Sequence, residues 1–301
     1  MKAIVLKNYG GIDQLELRDV PDPTPAAGEV VVAIAATSVN PIDYKLRSGS
    51  ARGRIPLELP AILGRDIAGE VLALASDVTR FRVGDRVLGL GWRSYAERAT
   101  MAADALVPLP PGLDVVEAGA LPLVVTTGAQ LAAHADPKRG QTILVTGAVG
   151  GVGRTSVFVA KQRGARVIAG VRRSQLDAAR ELGADELVAL DDEREIARVP
   201  ELDCIADTVG GDTIGKLLSL LREGGVLASV VGEPPAAKGR PIEVRAFMAQ
   251  PDATLLGELA EAVAKRKLTI PIAERLPLAK AGEAQERAQH GHVAGKILLL
   301  P

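Results

Sequence analysis

The fold of the chain is decided by the stretch TILVTGAVGGVGRTSVFVAKQRGARVIAGV, residues 142–171. It begins with a short apolar run, 143–145, that suits a strand buried on both faces of a parallel sheet. A helix-forming segment (155–161) and a second β-rich run (166–171) come later in the stretch. Strand, turn, helix and strand within about thirty residues make one βαβ unit. The turn carries Gly147, Gly150, Gly151 and Gly153.

The glycine spacing indicates a phosphate-binding turn. A pyrophosphate must approach backbone N–H groups at a helix N-terminus, where a Cβ atom would be in the way. The spacing departs from the common G-x-G-x-x-G pattern, because Ala148 and Val149 stand where its second glycine is expected. An ordinary tight turn is the alternative, but the flanking strands and helix favour a dinucleotide site that includes Val152. A P-loop is excluded because Arg154 stands where that motif has lysine.

Composition limits the classes of partner. The 301 residues include 36 basic and 37 acidic side chains without a long basic run, so neither nucleic acid nor a membrane surface is indicated. No apolar run approaches the length of a membrane span, and we expect a cytoplasmic protein. Cys204 is the only cysteine, which excludes an intrachain disulfide and a thiolate-rich metal cage. His290 and His292 are close in sequence, but an exposed turn is favoured over a metal site.

The distribution of strands and helices predicts an α/β protein with two domains. Strands follow one another without helices in the N-terminal part, which predicts a mainly antiparallel β domain over 1–119. Strands and helices alternate after the glycine turn, which predicts a doubly wound parallel sheet over 120–268. The chain then returns as strands over 269–301 to complete the first domain. Further predicted elements are helices at 175–182, 213–221 and 254–265 and a strand at 226–231.

A series of short motifs runs through nearly the whole chain. They are Asn40-Pro41-Ile42-Asp43, Arg47-Ser48-Gly49, Leu63-Gly64-Arg65-Asp66-Ile67-Ala68-Gly69, Val83-Gly84-Asp85-Arg86-Val87, Ser94-Tyr95-Ala96-Glu97, Gly119-Ala120-Leu121-Pro122, Thr126-Thr127-Gly128, the glycine turn, Asp207-Thr208-Val209-Gly210-Gly211 and Gly295-Lys296. In these motifs and their order the chain resembles the medium-chain dehydrogenases/reductases, and within them the zinc-free quinone oxidoreductase branch. The resemblance implies a Rossmann domain with a GroES-like catalytic domain, an NADP(H) cofactor and a homodimer.

The positions of the zinc ligands differ from those of the metal-dependent relatives. By motif alignment, Asn40, Arg65 and about Leu123 stand where those enzymes hold their catalytic zinc. An amide, a permanent cation and an alkyl group do not make a zinc site. The four-cysteine structural lobe is also missing from the sequence. We therefore expect hydride chemistry without a metal.

The residues after the second strand of the βαβ unit indicate the coenzyme. An NAD-binding domain has an acid about twenty residues beyond the glycine turn, to accept hydrogen bonds from the ribose. This chain has Arg172, Arg173 and Ser174 there, and two guanidinium groups with a hydroxyl suit a 2′-phosphate. The sequence therefore predicts NADPH over NADH. Alternatively, Ser174 caps the following helix and the arginines point into solvent.

Further cofactor contacts are predicted near the nicotinamide. Residues at the carboxyl ends of parallel strands bind ligands in doubly wound sheets, which selects Val209 and the run Val230, Val231 and Gly232. The resemblance implies that Thr127 contacts the nicotinamide ring, with helix capping as its alternative role. It also implies cofactor contacts for Asn40, Phe247 and Lys296.

The predicted activity is NADPH-dependent reduction of a quinone or an α,β-unsaturated carbonyl, as the resemblance implies. Tyr44, Trp92 and Tyr95 are candidates to stack on a planar substrate, although each is equally suited to fill a core. A developing enolate needs a hydrogen-bond donor, and Tyr44, Asn40 or water is expected to serve. An alternative is an NADPH-binding redox sensor or structural protein with little turnover, which would share the cofactor residues.

Overall fold

The structure is a computed structural model that describes residues 1–291 and 293–301, so His292 of the sequence pair lies outside the described residues. The chain forms two compact units. The β-rich unit comprises Met1–Leu123 and Pro251–Pro301, and the parallel-sheet unit comprises Val124–Gln250. These divisions differ from the boundaries expected at 119 and 268, chiefly because the helix at Ala253–Ala264 belongs to the β-rich unit. The domain boundaries stay a prediction.

The elements are numbered in chain order. The strands are β1 (Lys2–Leu6), β2 (Leu15–Asp19), β3 (Glu29–Ser38), β4 (Ala61–Ile62), β5 (Asp66–Leu74), β6 (Arg86–Leu90), β7 (Arg98–Ala102), β8 (Leu106–Pro108), β9 (Thr142–Thr146), β10 (Arg166–Val171), β11 (Glu186–Ala189), β12 (Leu202–Asp207), β13 (Leu221–Ser229), β14 (Glu243–Ala246), β15 (Ile272–Pro277) and β16 (Lys296–Leu300). The helices are α1 (Pro41–Ser48), α2 (Val115–Ala118), α3 (Pro122–Ala135), α4 (Gly151–Gln162), α5 (Leu176–Ala179), α6 (Glu193–Ile196), α7 (Gly211–Leu217), α8 (Ala253–Ala264) and α9 (Ala281–His290).

The parallel-sheet unit is a doubly wound fold. Its strands pair in the order β11-β10-β9-β12-β13-β14, and every neighbouring pair is parallel. Successive side chains of β9 point to opposite faces. Ile143 and Val145 pack in one core with residues of α3 and α4, whereas Leu144 packs in a second core with residues of α7. The predicted Rossmann-type α/β architecture is confirmed, and the strand order reverses at β9 and β12, where such sheets bind nucleotides.

The β-rich unit is mainly antiparallel, as expected. One sheet has the order β2-β1-β4, and the larger one has the order β15-β16-β3-β5-β6-β8 with β7 also paired to β3. Among the described strands of this unit, only the pair β15–β16 is parallel. Alternate residues of β3, Val30 and Val32, face a core that includes Ile67 and Phe81.

Several predicted elements differ from the structure. The helix predicted at 213–221 ends at Leu217, because Leu221 already pairs with Leu202 as the start of β13. The helix predicted at 175–182 is a single turn of α-helix flanked by 3₁₀ turns. Helix α9 was not predicted, because its buried face is formed by Ala281, Ala284 and Gln285 rather than by large apolar residues. Helix α4 begins four residues earlier than the predicted Thr155, inside the glycine turn.

Within the described residues, none of the helices has both the length and the apolar character needed to cross a membrane. The cytoplasmic location stays a prediction from the sequence.

Candidate active site

The glycine turn presses the start of α4 against the end of β9. A Cβ atom at Gly153 would lie 2.3 Å from the carbonyl oxygen of Gly147 and 2.7 Å from Cα of Ala148. Both contacts are with backbone, so no side-chain rearrangement could relieve them. Gly147 itself has a φ of +60°, in the left-handed region that favours glycine. This close approach therefore requires glycine at both positions.

The N-terminus of α4 has the features of a phosphate site. Gly150 precedes the helix, and a Cβ atom there would meet only the Gly147 oxygen, at 3.3 Å. Gly151 and Val152 open the helix, where the first N–H groups have no partner within the helix. The backbone at this end is thus bare and carries the positive end of the helix dipole. Because glycine has no side chain, the turn leaves space in which a pyrophosphate can approach the backbone N–H groups.

Asp207 organises the carboxyl ends of three neighbouring strands and was not predicted as a site residue. Its side chain is almost completely buried. It accepts hydrogen bonds from Thr146 Oγ1 at the end of β9 (2.9 Å) and from Ser229 Oγ at the end of β13 (3.0 Å). The N–H groups of Val209 and Gly210 also donate to it, each at 3.0 Å. Asp207 therefore sets the backbone direction after β12, where Val209 is 49% exposed.

The predicted nicotinamide contacts lie in different environments. Thr127 is 6% exposed, and its hydroxyl has no hydrogen-bond partner among the described residues. It lies inside α3, so the capping role does not apply. The ring of Phe247 stacks on His134 with centroids 4.1 Å apart. Val230, Val231 and Gly232 follow β13 directly. An unpartnered buried hydroxyl is costly, so Thr127 fits a position that a ligand completes.

The residues predicted to bind a 2′-phosphate are only partly available. Arg173 is held by ion pairs with Asp192 and with Glu195, the latter at 2.7 Å. Arg172 is exposed, and its guanidinium forms no hydrogen bond or ion pair within the described part of the chain. Ser174 makes no capping hydrogen bond. The capping alternative for Ser174 is therefore not found, and Arg172 is the cation that remains available to an anion.

A buried polar cluster forms around Asp66 in the β-rich unit, with no solvent exposure of its carboxylate. Oδ2 of Asp66 accepts from the hydroxyl of Ser38 and from Nδ2 of Asn40, the latter at 2.7 Å. Oδ1 accepts from the backbone N–H of Leu123 at 2.7 Å. Lys296 Nζ lies 3.9 Å from Oδ2 and donates to Oδ1 of Asn40 at 2.5 Å. Asn40, Arg65 and Leu123, which the motif alignment predicts to stand at the zinc-ligand positions of metal-dependent relatives, thus lie at or beside this carboxylate.

The amide of Asn40 is fully engaged in this cluster. Its Nδ2 also donates to the carbonyl oxygen of Ser38 at 3.3 Å, so both amide hydrogens have acceptors. Its oxygen accepts from Lys296, whose pKa is lowered by burial. Asn40 has no exposed surface. As it stands, this geometry leaves no N–H of Asn40 for a substrate oxygen, and it favours a positioning role for Asn40 and Lys296.

Asp43 is a second buried carboxylate. Asn40 precedes helix α1, and its N–H donates to Oδ2 of Asp43 at 2.8 Å. The hydroxyl of Tyr95 donates to the same oxygen at 3.0 Å, whereas Oδ1 has no partner among the described residues. Burial is the main cause that raises the pKa of Asp43 to about 7. The carboxyl group is thus poised between its two protonation states near neutral pH.

The three candidate aromatic residues are not equivalent. Tyr95 is fully buried in a core with Leu6 and Leu46, so the geometry favours its packing role and offers no face for stacking on a substrate. Tyr44 is half-buried, and burial raises the pKa of its hydroxyl. Trp92 is 41% exposed, and the guanidinium of Arg65 lies 3.7 Å from the centre of its ring. Tyr44 and Trp92 therefore remain the accessible candidates.

No group of three or more His, Cys, Asp and Glu side chains in residues 1–291 and 293–301 is arranged to hold a metal ion. The residues around Asp66 offer an amide, an ammonium group, a hydroxyl and a backbone N–H. Zinc prefers thiolate, imidazole and carboxylate donors.

The doubly wound sheet, its glycine turn and the separate β-rich unit define a dinucleotide-binding dehydrogenase. A family profile described as "Alcohol dehydrogenase GroES-like domain" matches residues 26–111, and one described as "Zinc-binding dehydrogenase" matches residues 182–299. The chain belongs to the medium-chain dehydrogenases/reductases, in the quinone oxidoreductase-like branch. It is therefore an oxidoreductase, and membership implies a nicotinamide cofactor.

Individual relatives support this assignment. The chloroplast envelope quinone oxidoreductase homolog of Arabidopsis thaliana is 31% identical, and the alignment covers 100% of this chain and 98% of the relative. The chloroplastic NADPH-dependent alkenal/one oxidoreductase of the same plant is 27% identical, and the alignment covers 100% of this chain and 80% of that relative. The solved quinone oxidoreductase of Coxiella burnetii has a TM-score of 0.90 at 30% identity, with 100% of this chain and 99% of that chain covered.

The contact at Gly153 predicts a loss of nucleotide binding on substitution. In Gly153→Ala the new methyl group must separate α4 from the Gly147 backbone, which displaces the N–H groups of the turn. We expect NADPH affinity, measured by fluorescence titration, to fall at least about tenfold, equal to about 1.4 kcal/mol. Gly215→Ala is the matched control, because its methyl group would meet only Ala236, at 3.9 Å. Unchanged affinity in Gly153→Ala would contradict the proposed phosphate position.

The raised pKa of Asp43 predicts a pH dependence of stability. An ordinary aspartate has a pKa of about 3.9, so the folded protein holds this proton more tightly than the unfolded chain does. This contribution to stability is complete at low pH and declines as the pH rises from about 4 through about 7. We expect urea unfolding to show that Asp43→Asn removes this decline, which can reach about 4 kcal/mol at about 1.4 kcal/mol per pKa unit.

The control for this measurement is Asp104→Asn, which changes an exposed carboxylate of the same unit. It should retain the wild-type decline. A pH profile of Asp43→Asn that runs parallel to that of the wild type would contradict the raised pKa.

Proposed function

We propose that the protein catalyses the NADPH-dependent reduction of a quinone or an α,β-unsaturated carbonyl without zinc. The observation that carries this proposal is the closed cluster around Asp66. Its members satisfy one another with an amide, a lysine ammonium group and a backbone N–H, at the place where metal-dependent relatives bind zinc. The names of the relatives, quinone oxidoreductase and alkenal/one oxidoreductase, support the two substrate classes.

The parallel-sheet unit would hold the cofactor. The turn from Gly147 to Gly153 would bind the pyrophosphate through backbone N–H groups. The unpartnered hydroxyl of Thr127 would form a hydrogen bond with the nicotinamide end of the cofactor. Val209 and Val230–Gly232, at the ends of β12 and β13, would contact the same end. We retain Phe247 as a neighbour of this end. When bound, NADPH supplies the hydride, and the protein contributes orientation and electrostatics.

The β-rich unit would bind the electrophile. A planar quinone or enone is suited to pack against Trp92, which is 41% exposed and whose ring carries the guanidinium of Arg65 on one face. The half-buried hydroxyl of Tyr44 forms no hydrogen bond with the described residues, so it is free to donate to a substrate oxygen. Asn40 and Lys296 would act by holding Asp66 and the start of α1 in place.

The preference for NADPH would depend mainly on Arg172. Its guanidinium is exposed and unpaired within the described residues, and Ser174 offers a free hydroxyl two residues later. Arg173 would contribute less, because two carboxylates already share its charge. We also infer a homodimer that pairs through an edge strand of the parallel sheet, with β14 as the candidate. Light scattering that gives the mass of a single chain would contradict the dimer.

The function is tested by steady-state oxidation of NADPH and NADH with a panel of quinones and conjugated enones. We expect turnover with members of both classes and a higher kcat/KM with NADPH. Cofactor binding alone does not separate an enzyme from a redox sensor, because both share the cofactor residues. Tight binding of NADPH with no turnover across the panel would favour the sensor and contradict the proposed activity.

The role of Arg172 predicts a change in coenzyme preference. In Arg172→Ala, the loss of a charge-assisted hydrogen bond to the 2′-phosphate should weaken NADPH binding about tenfold, which corresponds to about 1.4 kcal/mol. NADH binding should change little, because NADH lacks that phosphate. Fluorescence titration with both nucleotides measures the ratio. Arg180→Ala is the control, since Arg180 is similarly exposed but already paired with Asp177.

An equal loss of affinity for NADPH and NADH would show that Arg172 does not bind the 2′-phosphate, and would contradict the prediction. The same loss in Arg180→Ala would show a general effect of surface charge instead.

A further inference from the structure

Arg65 is a buried cation whose charged end is not neutralised. Its side chain is 4% exposed, and Nε donates to the carbonyl oxygen of Gly91 at 2.6 Å. Neither terminal amino group forms a hydrogen bond or an ion pair with a residue in the described ranges. Burial lowers the pKa of Arg65, because the charged form loses solvation there. A buried arginine in this state lacks an anionic partner among the described residues.

Arg47 is a buried arginine of the same unit whose terminal amino groups do have partners, so it serves as a comparison for Arg65. It is 5% exposed, and its terminal amino groups donate to the side-chain amides of Gln285 (3.2 Å) and Gln289 (3.0 Å). Its Nε is fully buried without a partner, whereas the terminal nitrogens of Arg65 are not among the fully buried unpartnered atoms. The terminal amino groups of Arg65 are therefore unpaired among the described residues and not completely buried.

The guanidinium of Arg65 is held in one orientation. It stacks on the ring of Trp92 at 3.7 Å, while the Nε hydrogen bond fixes its base. Arg93, which follows Trp92 in the chain, has a φ of +62°, in the left-handed region that is unfavourable for a non-glycine residue. Such strain persists where the surroundings over-determine the backbone, often beside ligands. The segment thus presents the cation and the exposed indole together.

The charges nearby favour an anion at this end. Asp43 and Asp66 are the carboxylates that attract Arg65, but neither lies within ion-pair distance of it. Lys296 already faces Asp66, and Asp43 is only partly ionised near neutral pH. Arg65 therefore has no carboxylate of its own within ion-pair distance among the described residues. A negative oxygen at its terminal amino groups would supply that partner.

We propose that Arg65 is a catalytic residue that donates hydrogen bonds to the carbonyl oxygen of the quinone or enone. The inference rests on the proposed function. The substrate carbon would accept a hydride, and the π-electron pair of the substrate would move onto the carbonyl oxygen. Arg65 would stabilise the resulting oxyanion, and a proton from water would complete the reduction and leave hydroxide. The hydride, which NADPH would supply when bound, carries both electrons, so the guanidinium supplies positive charge and undergoes no redox change.

The first test compares Arg65→Gln and Arg65→Lys with Arg47→Gln as the matched buried control. A donor aimed at a developing oxyanion is typically worth about 10²–10³ in kcat. We expect Arg65→Gln to lose this factor on neutral quinones, with KM and NADPH affinity little changed. Arg65→Lys should recover part of kcat, because it retains the charge without the planar stack. Arg47→Gln should keep kcat even where its melting temperature falls.

The second test needs neither turnover nor cofactor. The probe is 4-nitrophenol, whose phenolate is coloured and resembles the oxyanion. Wild-type protein should lower the pKa of the bound phenol by about one unit relative to Arg65→Gln, the size expected for a cation beside it. Arg47→Gln should match the wild type. Circular dichroism on each variant confirms that the folded protein is being titrated.

The outcomes separate this inference from the proposed function. Wild-type protein that reduces no quinone or enone, yet shifts the pKa of 4-nitrophenol, would contradict the activity and retain Arg65 as an oxyanion site. Wild-type turnover with an unchanged kcat in Arg65→Gln would overturn the inference. So would wild-type protein that binds no phenolate. A loss confined to carboxylate-bearing substrates would also overturn it, since Arg65 would then anchor the ground state.

Discussion

The burial of the Asp66 carboxylate is the constraint on which the β-rich unit depends. A carboxylate without solvent is strongly destabilising unless its oxygens are hydrogen-bonded. Its donors come from the end of β3, from the residue before α1 and from the start of α3, so these elements must meet before the charge can be buried. Lys296 at the start of β16 completes the arrangement. The same carboxylate thereby fixes the side chain of Asn40. It also fixes the backbone from which Arg65 extends, because Arg65 directly precedes Asp66 in the chain.

The parallel-sheet unit is also organised by a buried carboxylate, that of Asp207, but this one shapes the backbone of a cofactor site. Asp207 collects donors from three strand ends, and the glycine turn brings α4 against β9 through contacts that leave no room for a side chain. Together they fix the backbone at the place where the strand order reverses. One unit therefore provides bare N–H groups for a dinucleotide, and the other provides fixed side-chain charges. This division of roles suits a reaction in which the cofactor carries the redox chemistry and the protein provides position and charge.

The sequence predicted the parts of the molecule that depend on local signals. Strand β10 has the predicted bounds, because a β-rich run between turn residues is recognised within a few positions. The Rossmann architecture followed from the glycine turn and from the alternation of strands and helices after it. The contacts of the site are long-range: Asn40 and Lys296 are 256 residues apart in sequence. No local pattern indicated that they would meet, that Tyr95 would be buried, or that Asp192 and Glu195 would engage Arg173. An acid next to a strand end was the available signal for Asp66 and Asp207, but the same pattern occurs in ordinary turns.

Our central claim is that the charge required for reduction comes from side chains and not from a metal. Lys296 and Arg65 are buried cations, and the donor atoms around Asp66 already satisfy one another. The most direct measurement is the rate of NADPH oxidation with a quinone before and after dialysis against a chelator, with the zinc content of the same samples determined. We predict the full rate at substoichiometric zinc. A rate that disappears on chelation and returns when Zn²⁺ is added would contradict the claim.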